Sequence, residues 1–164
     1  MIKIEKVNLT KENLIKIMDI DSLFYKEDIL TIEWYLERYN KNHYGYLLID
    51  GDKCVGYLVS VPVKRELYKA IVNGVMVNDL YINPQMILEN SKYNYIVSSV
   101  ILDEYRNKGY GQKMIQKLFN ENKGKYCSLT ITKAGYNLSK KYMKHKKEIN
   151  KDVHIFTFSN NSLF

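Results

Sequence analysis

The stretch YNYIVSSVIL, Tyr93–Leu102, is followed by Asp103-Glu104-Tyr105 and then by Arg106-Asn107-Lys108-Gly109-Tyr110-Gly111. The first part is uncharged and nearly all apolar or small. Such a run reads as a central strand buried on both faces. The two glycines after it signal a tight turn. Beyond them Met114, Ile115, Leu118 and Phe119 recur at helical spacing, which predicts a helix from about Gly109 to Asn122. Gly124 is a natural C-terminal stop. Cys127–Thr132 then reads as a second, shorter strand. Strand, helix and strand together make one βαβ unit, whose strands should be parallel and joined by a right-handed crossover.

Working outward, Ile2–Leu9 reads as a strand and Thr10 as a helix N-cap, its hydroxyl free to accept a first-turn amide. Leu14, Ile17 and Met18 form an apolar stripe, and Asp21 follows the same helical spacing. A second short helix is predicted over Ile32–Asn40, with Ile32, Tyr35, Leu36 and Tyr39 on one side and Trp34 and Arg38 on another. Tyr44–Ile49 and Cys54–Val61 are strand-like, and Asp50-Gly51-Asp52 between them marks a hairpin that Pro62 ends. Within Lys64–Lys92, Ile71–Val77 is apolar and β-branched and part of it reads as strand, while Asn83-Pro84 marks a turn or the start of a short helix through Leu88. Gly135–Lys147 reads as a helix carrying Leu138, Tyr142 and His145, and Val153–Phe158 as the last strand. The order predicts a single mixed α/β domain over residues 1–164.

At 164 residues the chain fits one domain. Hydrophobic residues at 46% and charged residues at 26% exclude a collagen-like or wholly disordered chain. The uncharged apolar stretches Cys54–Val63 and Tyr93–Leu102 reach about half the length of a bilayer-spanning helix. Met1–Lys6 mixes Lys3, Glu5 and Lys6 with single apolar residues and offers no signal-peptide core, so the cytoplasm is the expected compartment.

The net charge of +7 comes almost wholly from lysine, since Arg38, Arg65 and Arg106 are the only arginines. With Ala70 and Ala134 the only alanines and 15 tyrosines, the composition reads as AT-rich codon usage and not as a nucleic-acid-binding surface. A basic protein still favours anionic small ligands. Cys54 and Cys127 match no zinc or disulfide pattern and read as small buried hydrophobes. His43, His145 and His154 are scattered without carboxylate or cysteine partners at ligand spacing, so no metal is expected. The run Lys140-Lys141, Lys144, Lys146-Lys147 reads as a solvated helix face, or as a contact for a phosphate or an acidic partner.

The segment Arg106–Gly111 points to an anion site. A helix N-terminus offers unpaired amides and the positive end of a dipole. Gly109 and Gly111 let the backbone turn and approach a ligand, and Arg106 and Lys108 add charge. A phosphate or pyrophosphate is the natural occupant. A Walker loop does not fit, because Gly111 is followed by Gln112, nor does the glycine spacing of a Rossmann fingerprint. From the glycines alone, a loop that merely turns remains the alternative.

Placed between strand and helix, Arg106-x-x-Gly109-x-Gly111 with Tyr105 before it resembles the signature of the GCN5-related N-acetyltransferase (GNAT) superfamily in its bacterial-type members. The element order extends the resemblance over nearly the whole chain. It implies a mixed, mostly antiparallel sheet with helices on both faces and a central parallel βαβ unit. It also implies acetyl-CoA as co-substrate, with Arg106, Asn107, Lys108, Gly109, Tyr110, Gly111 and Gln112 around its pyrophosphate. Ser99, Val100 and Ile101 would pair with the pantetheine arm, and an amide near Ile101 would stabilise the oxyanion. Tyr142 stands where relatives carry a hydroxyl that protonates the leaving thiolate. The asparagine usual seven residues earlier is Gly135 here, and Lys146-Lys147 replaces the usual Gly-Phe.

The predicted strand Tyr93–Leu102 holds no acid to act as general base. Asp79, Glu33 and Asp103 are the candidates, together with a water chain ending on Ser98, Ser99 or a carbonyl. The resulting expectation is direct transfer of acetyl to a primary amine, either a small molecule or a peptide N-terminus. No nucleic acid or membrane is expected as partner, and the chain would act as a monomer or homodimer. The alternative is an acyl-CoA-binding module of the same fold without transferase activity.

Overall fold

The computed structural model describes residues 1–25 and 30–160. Its elements are β1 (Ile2–Asn8), α1 (Lys11–Phe24), α2 (Ile32–Arg38), β2 (Tyr44–Asp50), β3 (Lys53–Pro62), α3 (Arg65–Val72), β4 (Tyr93–Ile101), α4 (Tyr110–Glu121), β5 (Lys125–Thr130), α5 (Lys133–Tyr142), β6 (Lys144–Asn150) and β7 (Val153–Ser159). Short 3-10 turns cover Asp79–Tyr81, Pro84–Met86 and Asp103–Tyr105. The seven strands form one sheet in the order β1-β2-β3-β4-β5-β7-β6. β4 and β5 run parallel, as the βαβ reading requires, while β1–β2, β2–β3, β5–β7 and β6–β7 are antiparallel. The architecture is the mixed α/β sheet that the sequence implies.

The chain groups into two compact units, Met1–Val59 with Ser98–Met114, and Ser60–Val97 with Ile115–Phe164. In the first, Thr10 caps α1 by accepting from the amide of Asn13, and Thr31 caps α2 by accepting from Trp34. α1 buries Leu14, Ile17, Ile20 and Asp21. α2 is rotated from its predicted face: Trp34, Tyr35 and Tyr39 are buried and Leu36 is exposed. The rings explain it. Trp34 meets Tyr35 and Tyr39 edge to face, with centroids 5.3 and 5.8 Å apart, and aromatic burial outweighs one leucine. The β2–β3 hairpin turns at Gly51, whose φ is +60°. Gly56 on β3 is required by proximity, because a Cβ there would stand 2.9 Å from the carbonyl oxygen of Val100.

In the second unit, β4 pairs with β5 through Tyr93–Ile96 against Lys125–Ser128. The predicted strand within Ile71–Val77 is instead the end of α3 and a loop. Leu67 and Ile71, one helical turn apart, are buried, and the helix stops at Gly74 with φ +74°. Val75 and Val77, 80% and 42% exposed, have no core to join, so their β-branching was misleading. The helix predicted over Gly135–Lys147 ends at Tyr142, and Met143 turns the chain into β6. Lys-His-Lys-Lys-Glu-Ile-Asn has a single large apolar residue and no alternation, so nothing in it announced a strand. The short helix opened by Pro84 closes at Met86. Asn160 finishes α4, donating to the carbonyls of Phe119 and Asn122 and accepting from the amide of Gly124.

Candidate active site

The loop after β4 turns through two left-handed residues. Asn107 sits at φ +60° and Gly109 at φ +80°, while Arg106 before them is extended. Asn is among the few non-glycine residues that accept this conformation. α4 begins directly after it, so the amides of Tyr110, Gly111 and Gln112 belong to a first turn without intrahelical acceptors. A Cβ on Gly109 would meet nothing within 4 Å, so that glycine serves conformation and not clearance.

The charges have separate tasks. Arg106 is tied back into its own segment: Nε donates to the carbonyl of Ile101 at 2.8 Å, and Nη1 lies 2.7 Å from Asp103 Oδ1. Its guanidinium also lies over the Phe24 ring at 5.1 Å. Arg106 therefore joins the end of β4 to the loop, with part of its charge already met. Lys108 is exposed, near the Tyr105 ring, and Tyr105 donates to Asp50 Oδ2 at 2.9 Å. Ser99 and Ile101 are half-buried and Val100 is buried. Leu102 closes the strand end with its amide on the carbonyl of Val55 at 2.9 Å.

Tyr142, the last residue of α5, is half-buried and is followed by buried Met143. Of the general-base candidates, Glu33 is exposed and Asp103 is 78% exposed and bound to Arg106. Asp79 is half-buried and accepts from Tyr95 Oη at 2.6 Å. Burial pushes its carboxyl up to about 6, against the opposing pull of the tyrosine hydrogen bond.

Asp21, on the helical stripe of α1, is 6% exposed and lies at the centre of a hydroxyl network. Tyr35 Oη donates to its Oδ2 at 3.0 Å, Tyr57 Oη donates to its Oδ1, and Tyr57 Oη is 2.7 Å from Ser98 Oγ. Desolvation raises the Asp21 carboxyl above its ordinary value, although both tyrosines pull it down. Sequence reasoning placed Asp21 on the stripe and Ser98 among possible proton acceptors without joining them. The one available signal was a carboxylate where the spacing wanted an apolar side chain.

Neither cysteine is disposed to act as a nucleophile. Burial raises both thiols, and Cys127 is fully buried. Cys54 is half-buried, not buried as the sequence suggested. Among the described residues no group of three or more His, Cys, Asp or Glu side chains could hold a metal, and no helix is long and apolar enough to cross a membrane.

No curated protein matches the chain. Solved structures do. The loading GNATL domain of CurA from Lyngbya majuscula aligns at 15% identity with TM-score 0.69, over 96% of this chain and 98% of that one. NAA60 of Arabidopsis thaliana, solved with acetyl-CoA, aligns at 13% identity with TM-score 0.64, over 98% and 99%. Naa50 of Arabidopsis thaliana, solved with the bisubstrate analogue CoA-Ac-MVNAL, aligns at 13% with TM-score 0.62, over 95% and 98%. At such identities these likenesses establish the fold. The sequence profile of the Acetyltransferase (GNAT) family matches residues 14–139, and the chain belongs to that family.

Proposed function

We propose that the protein transfers the acetyl group of acetyl-CoA directly to a primary amine, borne by a small molecule or a peptide N-terminus. The observation that carries this reading is the left-handed pair Asn107 and Gly109 leading into the first turn of α4, an amide-rich anion cradle in a GNAT-family chain. In this reading the amides from Asn107 to Gln112 hold the pyrophosphate, with Lys108 adding charge and Arg106 holding the loop. Ser99, Val100 and Ile101 lie beyond the four residues by which β4 pairs with β5, and their backbone is offered to the pantetheine arm as strand addition. The amide near Ile101 faces the developing oxyanion.

Direct transfer is favoured over an acyl-enzyme because the raised thiols of Cys54 and Cys127 leave little thiolate at neutral pH. Tyr142 is assigned to protonate the departing thiolate as general acid. The peptide acceptor class draws support from the Naa50 analogue, which joins CoA to a peptide. The location assigned is cytoplasmic.

The test is thermal unfolding with acetyl-CoA against inorganic phosphate. At about a hundred times its Kd the ligand adds ~2.7 kcal/mol to stability. For a chain of this length that is a rise of several degrees, which phosphate alone should not reproduce. No shift at millimolar acetyl-CoA rejects the reading.

A further inference from the structure

Asp21 has no task in the function just proposed, yet it is a carboxylate taken out of water. That burial is costly unless hydrogen bonds replace the lost hydration. Tyr35 from α2 and Tyr57 from β3 supply them, and these are the titratable groups that face it. The direction of the chain follows from the inside. An ionised carboxylate only accepts, so Tyr57 commits its single proton to Asp21. The oxygen of Tyr57 is then the acceptor in its 2.7 Å contact with Ser98, and Ser98 is the donor. The lone pairs of Ser98 are left for a group beyond the network. A bond set serving only to hold α1 on the sheet would be complete at Tyr57. This one continues to a half-buried hydroxyl on β4, one residue before Ser99.

We propose that Ser98 is a catalytic residue that takes a proton from the acceptor amine, with Tyr57 and Asp21 as the positioning residues that receive the charge. The inference rests on the acetyl-transfer reading. As the amine nitrogen bonds to the acetyl carbon, an N–H proton passes to Ser98 Oγ. The proton of Ser98 passes to Tyr57 Oη, and that of Tyr57 to Asp21 Oδ1. The carbon–sulfur bond breaks with its electron pair on sulfur, and the thiolate takes its proton from Tyr142 or solvent. Asp21, neutral at that point, returns its proton outward by the same route after release. A strand without an acid thus obtains a base from the neighbouring helix.

Burial raises the Asp21 carboxyl above its ordinary value, so the pH at which the relay becomes charged is displaced upward. The rate should rise with pH along an acid limb that Asp21 sets. The experiment measures CoA release from acetyl-CoA with a panel of short peptides and small primary amines, across pH, on the full chain. Wild type, Ser98→Ala, Ser98→Thr and Asp21→Asn are compared, with acetyl-CoA affinity by calorimetry on each. We expect Ser98→Ala to lower kcat by ~100-fold, the low end for general acid–base catalysis, at unchanged acetyl-CoA affinity. Ser98→Thr, which keeps the hydroxyl, should retain most of the rate, and Asp21→Asn should lose the acid limb. Should Asp21→Asn fail to fold, the Ser98 pair carries the test. Wild-type kcat and acid limb in Ser98→Ala overturn the relay and leave acetyl transfer standing. Wild-type protein that binds acetyl-CoA but acetylates no amine of the panel overturns both.

Discussion

Arg106 reaches backward along its own chain, its Nε donating to the carbonyl of Ile101 at 2.8 Å. The first residue of the signature thus secures the last residue of β4, and Asp103 holds the same guanidinium from the loop. Arg106→Ala should therefore act on both. We expect a loss of about 1 kcal/mol in stability, the net worth of a mostly exposed charged hydrogen bond. Acetyl-CoA affinity should fall at least tenfold. Arg106→Lys should recover little, because a point ammonium cannot serve two acceptors in the fixed fork geometry of guanidinium. Calorimetric titration beside a thermal melt separates the two effects.

The glycines of the loop should respond differently. At Gly109 there is open space but φ is +80°, so Gly109→Ala carries only backbone strain, about 1–2 kcal/mol. Gly111 stands in the first turn of α4, where Gly111→Glu sets a negative charge against the proposed pyrophosphate. The first variant should melt lower yet bind; the second should melt near wild type and lose acetyl-CoA. Unchanged affinity in Gly111→Glu means that the segment is a turn and nothing more.

Tyr142→Phe should lower kcat while leaving acetyl-CoA affinity nearly unchanged, because the hydroxyl is needed only as the thiolate departs. A more acidic thiol leaving group should suffer less from the change. Equal losses with every leaving group would assign Tyr142 to packing.

Asp79 gives a pH signature in stability. Its folded carboxyl lies at about 6 against an ordinary 3.8, so the folded state binds the proton more tightly. The associated stability is fully present below the ordinary value and is lost as pH rises through about 6. Asp79→Asn, which does not titrate, should flatten that part of the curve of Tm against pH. A slope identical to wild type would place the effect on another group.

Alkylation separates direct transfer from an acyl-enzyme. Native protein treated with iodoacetamide should keep Cys127 unmodified, since the thiol is fully buried and its pKa is raised. The double variant Cys54→Ser, Cys127→Ala should retain transfer. Loss of transfer in a folded double variant would count for a covalent intermediate.

What was legible in the chain follows from how strongly each element depends on its own sequence. Tyr93–Leu102 and the Met114, Ile115, Leu118, Phe119 stripe carry their burial in their spacing, and the βαβ unit was readable from them. Thr10 announced α1 through a local hydroxyl-to-amide bond. By contrast, β6 exists because β7 offers it a ladder, and a polar strand leaves no trace of that in its own residues. The face of α2 was set by rings packing on rings, which spacing alone does not rank. At the site, the sharp turn before α4 was legible because Gly109 accepts a positive φ that few other residues adopt. The Asp21 network was not, since its members are 36 and 41 residues apart across the Asp21–Tyr57 and Tyr57–Ser98 bonds and only the packing of helix on sheet joins them.

The polar strand β6 has a consequence of its own. The sheet order puts it outermost, beside β7, so the backbone of Val153–Ser159 is already taken on both sides. A second copy approaching that side would meet Lys144, Lys146 and Lys147, with register shifts between His145 and Lys147 and again between Glu148 and Asn150. Like charges in line and an uneven ladder both penalise edge-to-edge pairing. Pairing of a second sheet along this edge is therefore disfavoured, and the sparse hydrophobic pattern of β6 contributes to that.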